Sequence, residues 1–386
     1  MFISERMNGL HSAIFTDLEI KKQELKERGR EVFDFGTGTP DIPPAPHIVK
    51  ALEEAAGRYD DYKYAIRDLP ELTHSVIDWY KSRYGVTLEK DEVMSLSGSQ
   101  DGLAHVALTL ANWEDTVLVP DPCYPIFWIG PSLACKNIVK MPLLKENKFL
   151  IDLDAIPPSV AHAARMMVVS YPNNPVTAIA PDSFYEKLIW FAKKYEIAVI
   201  HDNAYSELVY DNRQGVSFLS YPGAKDVGIE FNSLSKSYNM TGCRIAFALG
   251  NKEIIKQLKT LKSHLDYGIF LPVQKAAIAA LTGPQDSLKN TVLDYWKRRD
   301  FLVDRLNGIG WKMDKPPATM FVWAPVPEGF KTSMDFTLEL LDKAGVVVVP
   351  GSSFGESGEG FVRLALVQSI ERMGQAVDLI EKSGVL

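Results

Sequence analysis

The 386-residue sequence predicts an α/β protein whose mostly parallel sheet is covered by helices on both faces. Short runs rich in valine and isoleucine recur between residues 92 and 249, separated by helical segments. They lack the alternation of a half-exposed strand, which indicates burial on both faces. The rest of the chain mixes helices with three strand-like segments, as in a smaller α+β region. A hydrophobic content of 46% can fill a core of this size.

Composition narrows the possible functions. A formal net charge of -7 argues against nucleic acid as a partner, because a phosphate backbone is held by concentrated lysine and arginine. The start of the chain lacks the pattern of a signal peptide, and no apolar stretch is long enough to span a membrane, so we expect a cytoplasmic protein. The three cysteines show no CxxC pairing, so neither a disulfide framework nor a metal site is expected.

The amino-terminal region predicts a helix, a short strand and a turn. Leu10, Ile14, Leu18 and Leu25 mark one face of an amphipathic helix within residues 10–30. Residues 33–41 predict a short strand that runs into a glycine-rich turn, and a proline-rich connector leads into a helix from residue 47. Gly38 in this turn could let backbone approach a ligand closely.

Several predicted strands are followed by polar or aromatic side chains. The strands cover residues 92–96, 116–119, 166–170 and 197–200, and the side chains are those of Ser99, Tyr124, Asn174, Asp202 and Tyr205. Ligands of parallel sheets bind beyond the carboxyl ends of the strands, so these residues predict one binding site.

Two of these side chains could have a purely structural role, and two others indicate what kind of ligand they would contact. Ser99 could cap the following helix, and Asn174 could form an Asx turn. Tyr124 could stack on a flat heteroaromatic cofactor. Asp202 follows so apolar a strand that it needs a positive partner, which a protonated pyridine nitrogen would supply.

Lys236 lies between two predicted buried strands, residues 227–231 and 244–249. A partly desolvated lysine loses its proton more easily than one in water, and it can then attack a carbonyl. Ser233, Ser235 and Arg244 could donate hydrogen bonds to a phosphate. This chemistry matches a Schiff base with pyridoxal 5'-phosphate, although a serine- and lysine-rich surface loop would give a similar sequence.

The carboxyl-terminal region predicts helices over residues 251–263, 272–281, 291–306 and 369–383, and strands over 320–323, 345–349 and 361–366. The basic run at residues 297–299 is expected on a solvated helix face. Arg363 is a lone cation in an apolar strand, so it requires a fixed anion. That anion is either a buried carboxylate of the protein or one from a substrate.

Taken together, these segments resemble the class I/II aminotransferases of fold type I, which depend on pyridoxal phosphate. The resemblance covers nearly the whole chain and rests on residues 35–41, 98–102, 121–125, 171–175, 202–205 and 233–244, in the family's order and spacing. It implies a large domain with a mostly parallel seven-stranded sheet, residues 48–284. It also implies a smaller α+β domain, residues 1–47 and 285–386.

The resemblance further implies a role for each matching residue. Lys236 forms the internal aldimine and moves the proton, Asp202 keeps the pyridine nitrogen protonated, and Tyr124 stacks on the ring. Asn174 and Tyr205 bond the phenolic oxygen, and Arg363 and the Gly38 backbone take the α-carboxylate of the substrate. The implied phosphate ligands are Ser99, Gln100, Ser233 and Arg244. An amino acid and a 2-oxo acid would react in turn, with ping-pong kinetics.

Two departures from the family pattern stand near the implied site. The usual Asn-Pro-Thr-Gly is Asn-Pro-Val-Thr at residues 174–177, and the usual glycine before Leu69 is Asp68. The family is homodimeric, and a tyrosine of the second subunit completes the phosphate site. Tyr64 is the candidate, with Tyr62 as the alternative because of the change at Asp68.

The sequences of residues 171–175 and 266–272 resemble those of the diaminopimelate aminotransferase branch. This branch includes enzymes that act on N-acetylated diaminopimelate. We therefore expect a diaminopimelate-type or acidic donor and 2-oxoglutarate as acceptor, with Asp101 or Asp266 available to a distal ammonium. The alternatives are an aspartate aminotransferase, although no arginine occurs in residues 264–272, and a carbon–sulfur β-lyase acting on cystathionine. A cofactor-sensing regulator is a further alternative, but it would carry a basic helix-turn-helix module.

Overall fold

The computed structural model describes Ser4, Met7 and residues 13–386, with the backbone alone at residues 13–18 and 26. Its strands, in chain order, are β1 (Phe33–Asp34), β2 (Val93–Leu96), β3 (Thr116–Asp121), β4 (Asn137–Pro142), β5 (Ala164–Ser170), β6 (Ala198–Asp202), β7 (Gly228–Ser233), β8 (Ala246–Gly250), β9 (Phe321–Pro325), β10 (Val346–Val347), β11 (Val349–Pro350) and β12 (Phe361–Ala365). Its α-helices are α1 (Ala13–Glu27), α2 (Pro46–Ala56), α3 (Pro70–Tyr84), α4 (Ser99–His105), α5 (Ala107–Leu110), α6 (Ile126–Ala134), α7 (Pro158–Ala163), α8 (Asp182–Tyr195), α9 (Ala224–Val227), α10 (Leu234–Ser237), α11 (Lys252–Leu265), α12 (Leu271–Thr282), α13 (Asp286–Gly308), α14 (Ser333–Ala344) and α15 (Ile370–Ser383).

Seven strands form the central sheet, in the order β2-β8-β7-β6-β5-β3-β4. All run parallel except β8, which is antiparallel to both of its neighbours. Alternate residues of the sheet lie in two separate cores: Val168 of β5 packs in the core of α4, α6 and α11, and Val169 packs in the core of α3, α8 and α12. The sheet is therefore buried on both faces, which confirms the prediction and explains the unbroken apolar runs.

The carboxyl-terminal region builds its own core. Strands β11, β12 and β9 form an antiparallel sheet, and α13, α14 and α15 pack against it through Leu302, Leu340 and Val377. The short strand β1 joins this region because it pairs in parallel with β10, Phe33 opposite Val346. The fold-type-I architecture with a smaller α+β part is confirmed.

The structure differs from the sequence predictions at several elements. Edge strand β4 was not predicted, because its residues are mostly half-exposed and Lys140 interrupts the apolar pattern. The predicted amino-terminal helix is α1, although Leu10 lies outside the described residues. The prediction of a solvated basic run was wrong at Arg299, which is buried, pairs with Asp211 and lies 4.9 Å from the ring of Tyr210. Over the described residues, no helix is both long and apolar enough to cross a bilayer.

Candidate active site

The carboxyl ends of the parallel strands open into one cavity of about 300 Å³. Eleven of the residues predicted for the site line it, namely Gly38, Ser99, Gln100, Tyr124, Asn174, Asp202, Tyr205, Ser233, Lys236, Arg244 and Arg363. Four candidates do not, namely Tyr62, Tyr64, Asp101 and Asp266. Residues of the central sheet region, such as Lys236, and of the carboxyl-terminal region, such as Arg363, thus line one cavity. Its position is that expected for a ligand site at the end of a parallel sheet.

Lys236 lies between two buried strands, as predicted, and the turn that holds it is the single-turn helix α10. This turn begins at Ser233, whose hydroxyl accepts a hydrogen bond from the Ser235 backbone amide. The Lys236 Nζ donates to the Gly38 carbonyl at 2.6 Å. Burial lowers the pKa of the Lys236 ammonium to about 8, and the positive charges of Arg363 and Arg244 act in the same direction. At pH 7 about a tenth of this amine is therefore unprotonated, far more than for a lysine in water.

Asp202 ends strand β6 and is only 6% exposed. Its Oδ1 atom is buried and has no hydrogen-bond partner in the described structure. Burial raises the pKa of Asp202 to about 7 and the charge of Glu230 adds to this, whereas the Ser99 hydroxyl has a smaller opposing effect. A buried carboxylate oxygen without a donor is costly, so this atom calls for a proton donor from a ligand.

Glu230, one strand away on β7, was not predicted as part of the site. It is fully buried and accepts hydrogen bonds from the hydroxyls of Tyr80 and Ser217, both at 2.8 Å, and from the backbone amide of Phe218 at 2.7 Å. His201 Nδ1 lies 3.1 Å from its second oxygen. The only sign of this network in the sequence is an acidic residue inside an apolar strand.

Arg363 is 5% exposed and pairs with no carboxylate of the described residues. Its Nη1 donates to Asn174 Oδ1 at 2.9 Å and its Nη2 donates to the Gly36 carbonyl at 3.0 Å, while Nε has no partner. Burial lowers the pKa of the Arg363 guanidinium to about 10. Of the two anions considered from the sequence, the buried protein carboxylate is therefore absent from this part of the chain, and a ligand carboxylate fits.

Phe321 was missed by the sequence interpretation, although it shapes this end of the cavity. Its ring lies 4.2 Å from the guanidinium carbon of Arg363 and 5.8 Å from the ring of Tyr205. A Cβ at Gly38 would lie 2.8 Å from the same ring, so a side chain there would displace Phe321. Gly38 thus lies close to Phe321 and Lys236, and its close approach to a ligand stays a prediction.

A group of hydroxyl, amide and guanidinium donors also lines the cavity, and its members are Ser99, Gln100, Ser233, Ser235 and Arg244. Ser99 and Gln100 begin helix α4, whose first backbone amides are free to bind an anion. The Arg244 guanidinium lies so close to Gly98 that a Cβ there would be 2.2 Å from Nη2. The donor set suits a phosphate group.

The two candidate tyrosines lie outside the cavity. Tyr64 is 77% exposed, and its ring lies 4.8 Å from that of Tyr267. Tyr62 is 62% exposed, and its hydroxyl donates to the Ala56 carbonyl at 2.9 Å. Neither residue reaches the site of its own chain.

The two departures from the family pattern have local explanations. Thr177 has a φ of 62°, a left-handed conformation that favours the glycine usual at this position. Asp68 accepts a hydrogen bond from the Ser95 backbone amide at 2.8 Å, so it pairs with the open edge of strand β2.

Asp101 and Asp266 do not line the cavity. Both pair with Lys262, and Asp101 also contacts His105. The expectation that one of them meets a distal ammonium group of the substrate is therefore not supported, because their charges are already compensated.

Comparisons with known proteins agree with this arrangement. The family model for aminotransferase class I and II matches residues 30–380. The LL-diaminopimelate aminotransferase of Moorella thermoacetica is 44% identical over 381 residues, covering 98% of this chain and 97% of the relative. The enzyme of the same name from Halothermothrix orenii is 42% identical, covering 99% of this chain and 98% of the relative.

Comparison with solved structures indicates the same family as the sequence comparisons do. Substrate-bound BacF from Bacillus subtilis superimposes with a TM-score of 0.95 at 37% identity, covering 99% of this chain and 98% of BacF. A probable N-succinyldiaminopimelate aminotransferase from Thermus thermophilus gives a TM-score of 0.91 at 34% identity, covering 96% of this chain and all of that one. Motifs, fold, cavity and relatives coincide over the full length, and the chain belongs to the aminotransferase class I and II family.

Proposed function

We propose that this aminotransferase uses pyridoxal 5'-phosphate to move the α-amino group of a diaminopimelate-type or acidic donor to a 2-oxo acid such as 2-oxoglutarate. One observation carries the proposal: the cavity contains a buried carboxylate, Asp202, and a buried guanidinium, Arg363, and neither has an opposite charge among the described residues. A protonated pyridine nitrogen would satisfy the first, and the α-carboxylate of an amino acid would satisfy the second.

The residues present fit the cofactor. Asp202 Oδ1 lacks a donor among the described residues, the Lys236 amine is available for a carbonyl, and the proposed phosphate donors line the same cavity. Asn174 uses its Oδ1 to accept from Arg363, which leaves its Nδ2 to donate to the phenolic oxygen beside Tyr205. Pyridoxal 5'-phosphate, when bound, supplies an aldehyde for amine exchange and a ring that accepts electrons from Cα.

The chain's own residues perform the remaining steps. Arg363 and Asn174 hold the α-carboxylate so that the Cα–H bond faces the Lys236 amine. Lys236 Nζ, once free, takes the proton from Cα and later delivers it, because its pKa of about 8 suits both directions near neutral pH. Asp202 stabilises positive charge on the ring nitrogen throughout. A 2-oxo acid then uses the same groups in reverse order, so ping-pong kinetics are expected.

The donor is proposed from the relatives' names and from the sequence. Two relatives of more than 40% identity are named for LL-diaminopimelate. The absence of arginine from residues 264–272 argues against the aspartate aminotransferase alternative, whose best-known branch binds the distal carboxylate with an arginine there. The β-lyase alternative would use the same cofactor residues.

Donor identity can be tested by scanning the absorbance of the holoenzyme while single amino acids are added. The set contains LL-diaminopimelate, its N-acetyl form, aspartate, glutamate and cystathionine. Conversion of the cofactor to its amine form identifies the donor, and 2-oxoglutarate should restore the original spectrum. Pyruvate release from cystathionine with an unchanged spectrum would identify a β-lyase, and a protein that retains no added cofactor would contradict the proposal.

Replacing Arg363 by lysine is expected to lower kcat/KM for every amino donor by about 10²–10³-fold, mainly through KM. Lysine keeps the charge but loses the two-pronged contact with a carboxylate, and a buried, hydrogen-bonded charge pair of this kind contributes roughly 2–5 kcal/mol. Arg299→Lys is the matched control, because Arg299 is equally buried but pairs with Asp211 outside the cavity. The control should lose stability while keeping KM. An unchanged KM in the Arg363 variant would contradict the assignment.

We also propose that the enzyme is a homodimer. Exposed aromatic and aliphatic side chains form one strip in which Tyr64 contacts Tyr267 and Tyr62 contacts Phe270, and Ile66 lies on the same segment. Exposed apolar groups in such a contiguous patch are typical of an interface. The strip carries both candidates for the tyrosine that crosses to the partner's phosphate site.

Tyr64→Phe is expected to weaken retention of the cofactor about 10–100-fold without changing the dimer mass in sedimentation. The variant removes one hydrogen bond to a charged phosphate, a contact of roughly 1.5–3 kcal/mol. Tyr62→Phe is the matched control and should retain the cofactor, because the Tyr62 hydroxyl already donates to Ala56. The reverse pattern would assign Tyr62, and a monomeric wild type would exclude both.

The proposed domains are residues 48–284 and residues 1–47 with 285–386. Ile48 packs in the core of the central sheet, whereas Ile42 packs against the carboxyl-terminal core. Helix α13 contributes to both cores, Leu288 to the core of the central sheet and Leu302 to the carboxyl-terminal core. The boundary between the proposed domains would therefore lie at this helix.

A further inference from the structure

A second large cavity, of about 930 Å³, lies away from the active site, and we call it the cationic groove. Five basic side chains and one acidic side chain line it, namely Lys145, Lys148, Arg213, Lys312, Lys315 and Asp314. This excess of positive charge contrasts with the net charge of -7 of the whole chain. We propose that the cationic groove binds a small phosphorylated compound that carries a planar ring, as nucleotides do.

Three of the five cations lack a direct partner. Lys315 pairs with Asp300 and Asp304, and Lys312 Nζ donates to the Asn307 carbonyl. The side chains of Lys145 and Lys148, in contrast, make no ion pair or hydrogen bond with the described residues, and Arg213 makes no direct ion pair, although its charge helps to lower the pKa of Asp211. Like charges that share one cavity repel each other and raise the local concentration of anions, so a ligand with several negative charges is favoured.

The wall of the groove is aromatic. Phe361 stacks on Trp323 with ring centroids 5.3 Å apart and planes 10° apart, and Phe149 meets the edge of Phe361 at 5.6 Å. Trp323 Nε1 is buried and has no acceptor in the described structure. A planar ring could pack on Phe149 and Phe361 while its phosphates reach the lysines.

The groove also lies against the elements that hold Arg363. Phe361 precedes Arg363 by two residues on β12, and Trp323 pairs with Arg363 in the sheet. Thr177 follows Asn174, the hydrogen-bond partner of Arg363, by three residues. If the cationic groove and the Arg363 site are coupled through these elements, a ligand in the groove is expected to alter KM for the amino donor more than kcat, because Arg363 is proposed to hold the α-carboxylate.

Calorimetric titration of the cofactor-loaded enzyme with ATP and with pyrophosphate, in about 0.15 M KCl to keep general charge attraction screened, tests this inference. Loading the enzyme first keeps the phosphate site of the active cavity filled. We expect saturable binding of both compounds, with ATP the tighter because of its ring. The substitutions Lys145→Gln, Lys148→Gln and Arg213→Gln together should weaken both by about tenfold or more.

A matched control separates this site from general charge effects. Arg58→Gln, Lys297→Gln and Lys382→Gln remove the same charge from residues outside the groove, and this variant should bind as the wild type does. Equal weakening in both variants, or no saturable binding by the wild type, would overturn the proposal. If pyrophosphate bound as tightly as ATP, the proposal that the ligand carries a planar ring would be wrong. Binding is read without turnover, so this result is independent of the amino donor.

Discussion

Lys236→Ala is expected to lower the rate of transamination by at least about 10⁴-fold, the upper range for loss of a general base alone. The side chain has two functions in the proposed mechanism, since it is the amine that holds the cofactor and the base that moves the Cα proton. No other lysine lines the active cavity among the described residues. Single-turnover measurements with the preferred donor would give the rate.

Stability separates this effect from misfolding. Lys236 is largely buried with two arginines nearby and no carboxylate partner, so removal of its charge should leave the melting temperature of the cofactor-free protein unchanged or higher. Lys236→Arg retains a positive charge but cannot attack an aldehyde, and it should be equally inactive. Appreciable turnover by either variant would contradict the assignment.

Asp202→Asn should have the second-largest effect, a fall in kcat of about 10²–10⁴-fold with little change in fold. An amide cannot hold a proton on the pyridine nitrogen by charge, so the ring would accept electrons from Cα less readily. Proton loss from Cα should become rate-limiting, which a deuterium isotope effect on kcat at Cα would reveal. A variant with wild-type kcat would refute the role of Asp202.

The raised pKa of Asp202 also predicts how the stability of the cofactor-free protein changes with pH. The pKa of Asp202 is about 7 in the folded chain and 3.8 in the reference state, so the folded chain binds more protons between these values. Its contribution to stability is greatest below about pH 4 and falls as pH rises through 7, by on the order of 4 kcal/mol. The asparagine side chain does not ionise, so the Asp202→Asn variant should gain stability relative to the wild type as pH rises from about 5 to about 8.

Asp34→Asn is a control with the opposite sign. Burial alone would raise the pKa of Asp34, but Lys22 and the backbone amides of Gly36 and Thr37 together outweigh burial and lower it. Asp34 therefore stabilises the folded chain above its unfolded pKa, and this contribution is lost as pH falls. The wild type should exceed the Asp34 variant in melting temperature at about pH 8 more than at about pH 4. Parallel trends in both variants would contradict the interpretation of Asp202.

Much of the site could be predicted because it depends on local signals repeated along the chain. A buried strand is recognisable from its apolar run, and the residue after it lies at a defined edge of the sheet. Asp202 and Lys236 were found in this way. Arg363 was found because a charge in an apolar strand needs a partner.

The remaining features depend on contacts that the local sequence does not encode. Phe321 is one apolar residue among many, and only the packing of β9 beside Arg363 places it in the cavity. Arg299 is buried because Asp211, distant in the sequence, is there to meet it. In the proposed homodimer, the choice between Tyr62 and Tyr64 depends on contacts between two chains, which the local sequence does not encode.

The pairing of β1 with β10 bears on the order in which the enzyme is assembled. Strand β1 leaves the ribosome early, yet its partner is synthesised near the end of the chain. The central sheet and the residues proposed to bind the cofactor, from Ser99 to Arg244, are complete well before β10 and Arg363 emerge. A nascent chain would thus contain every residue proposed to bind the cofactor before it can bind an amino acid, and the amino-terminal segment must stay undocked until translation is nearly finished.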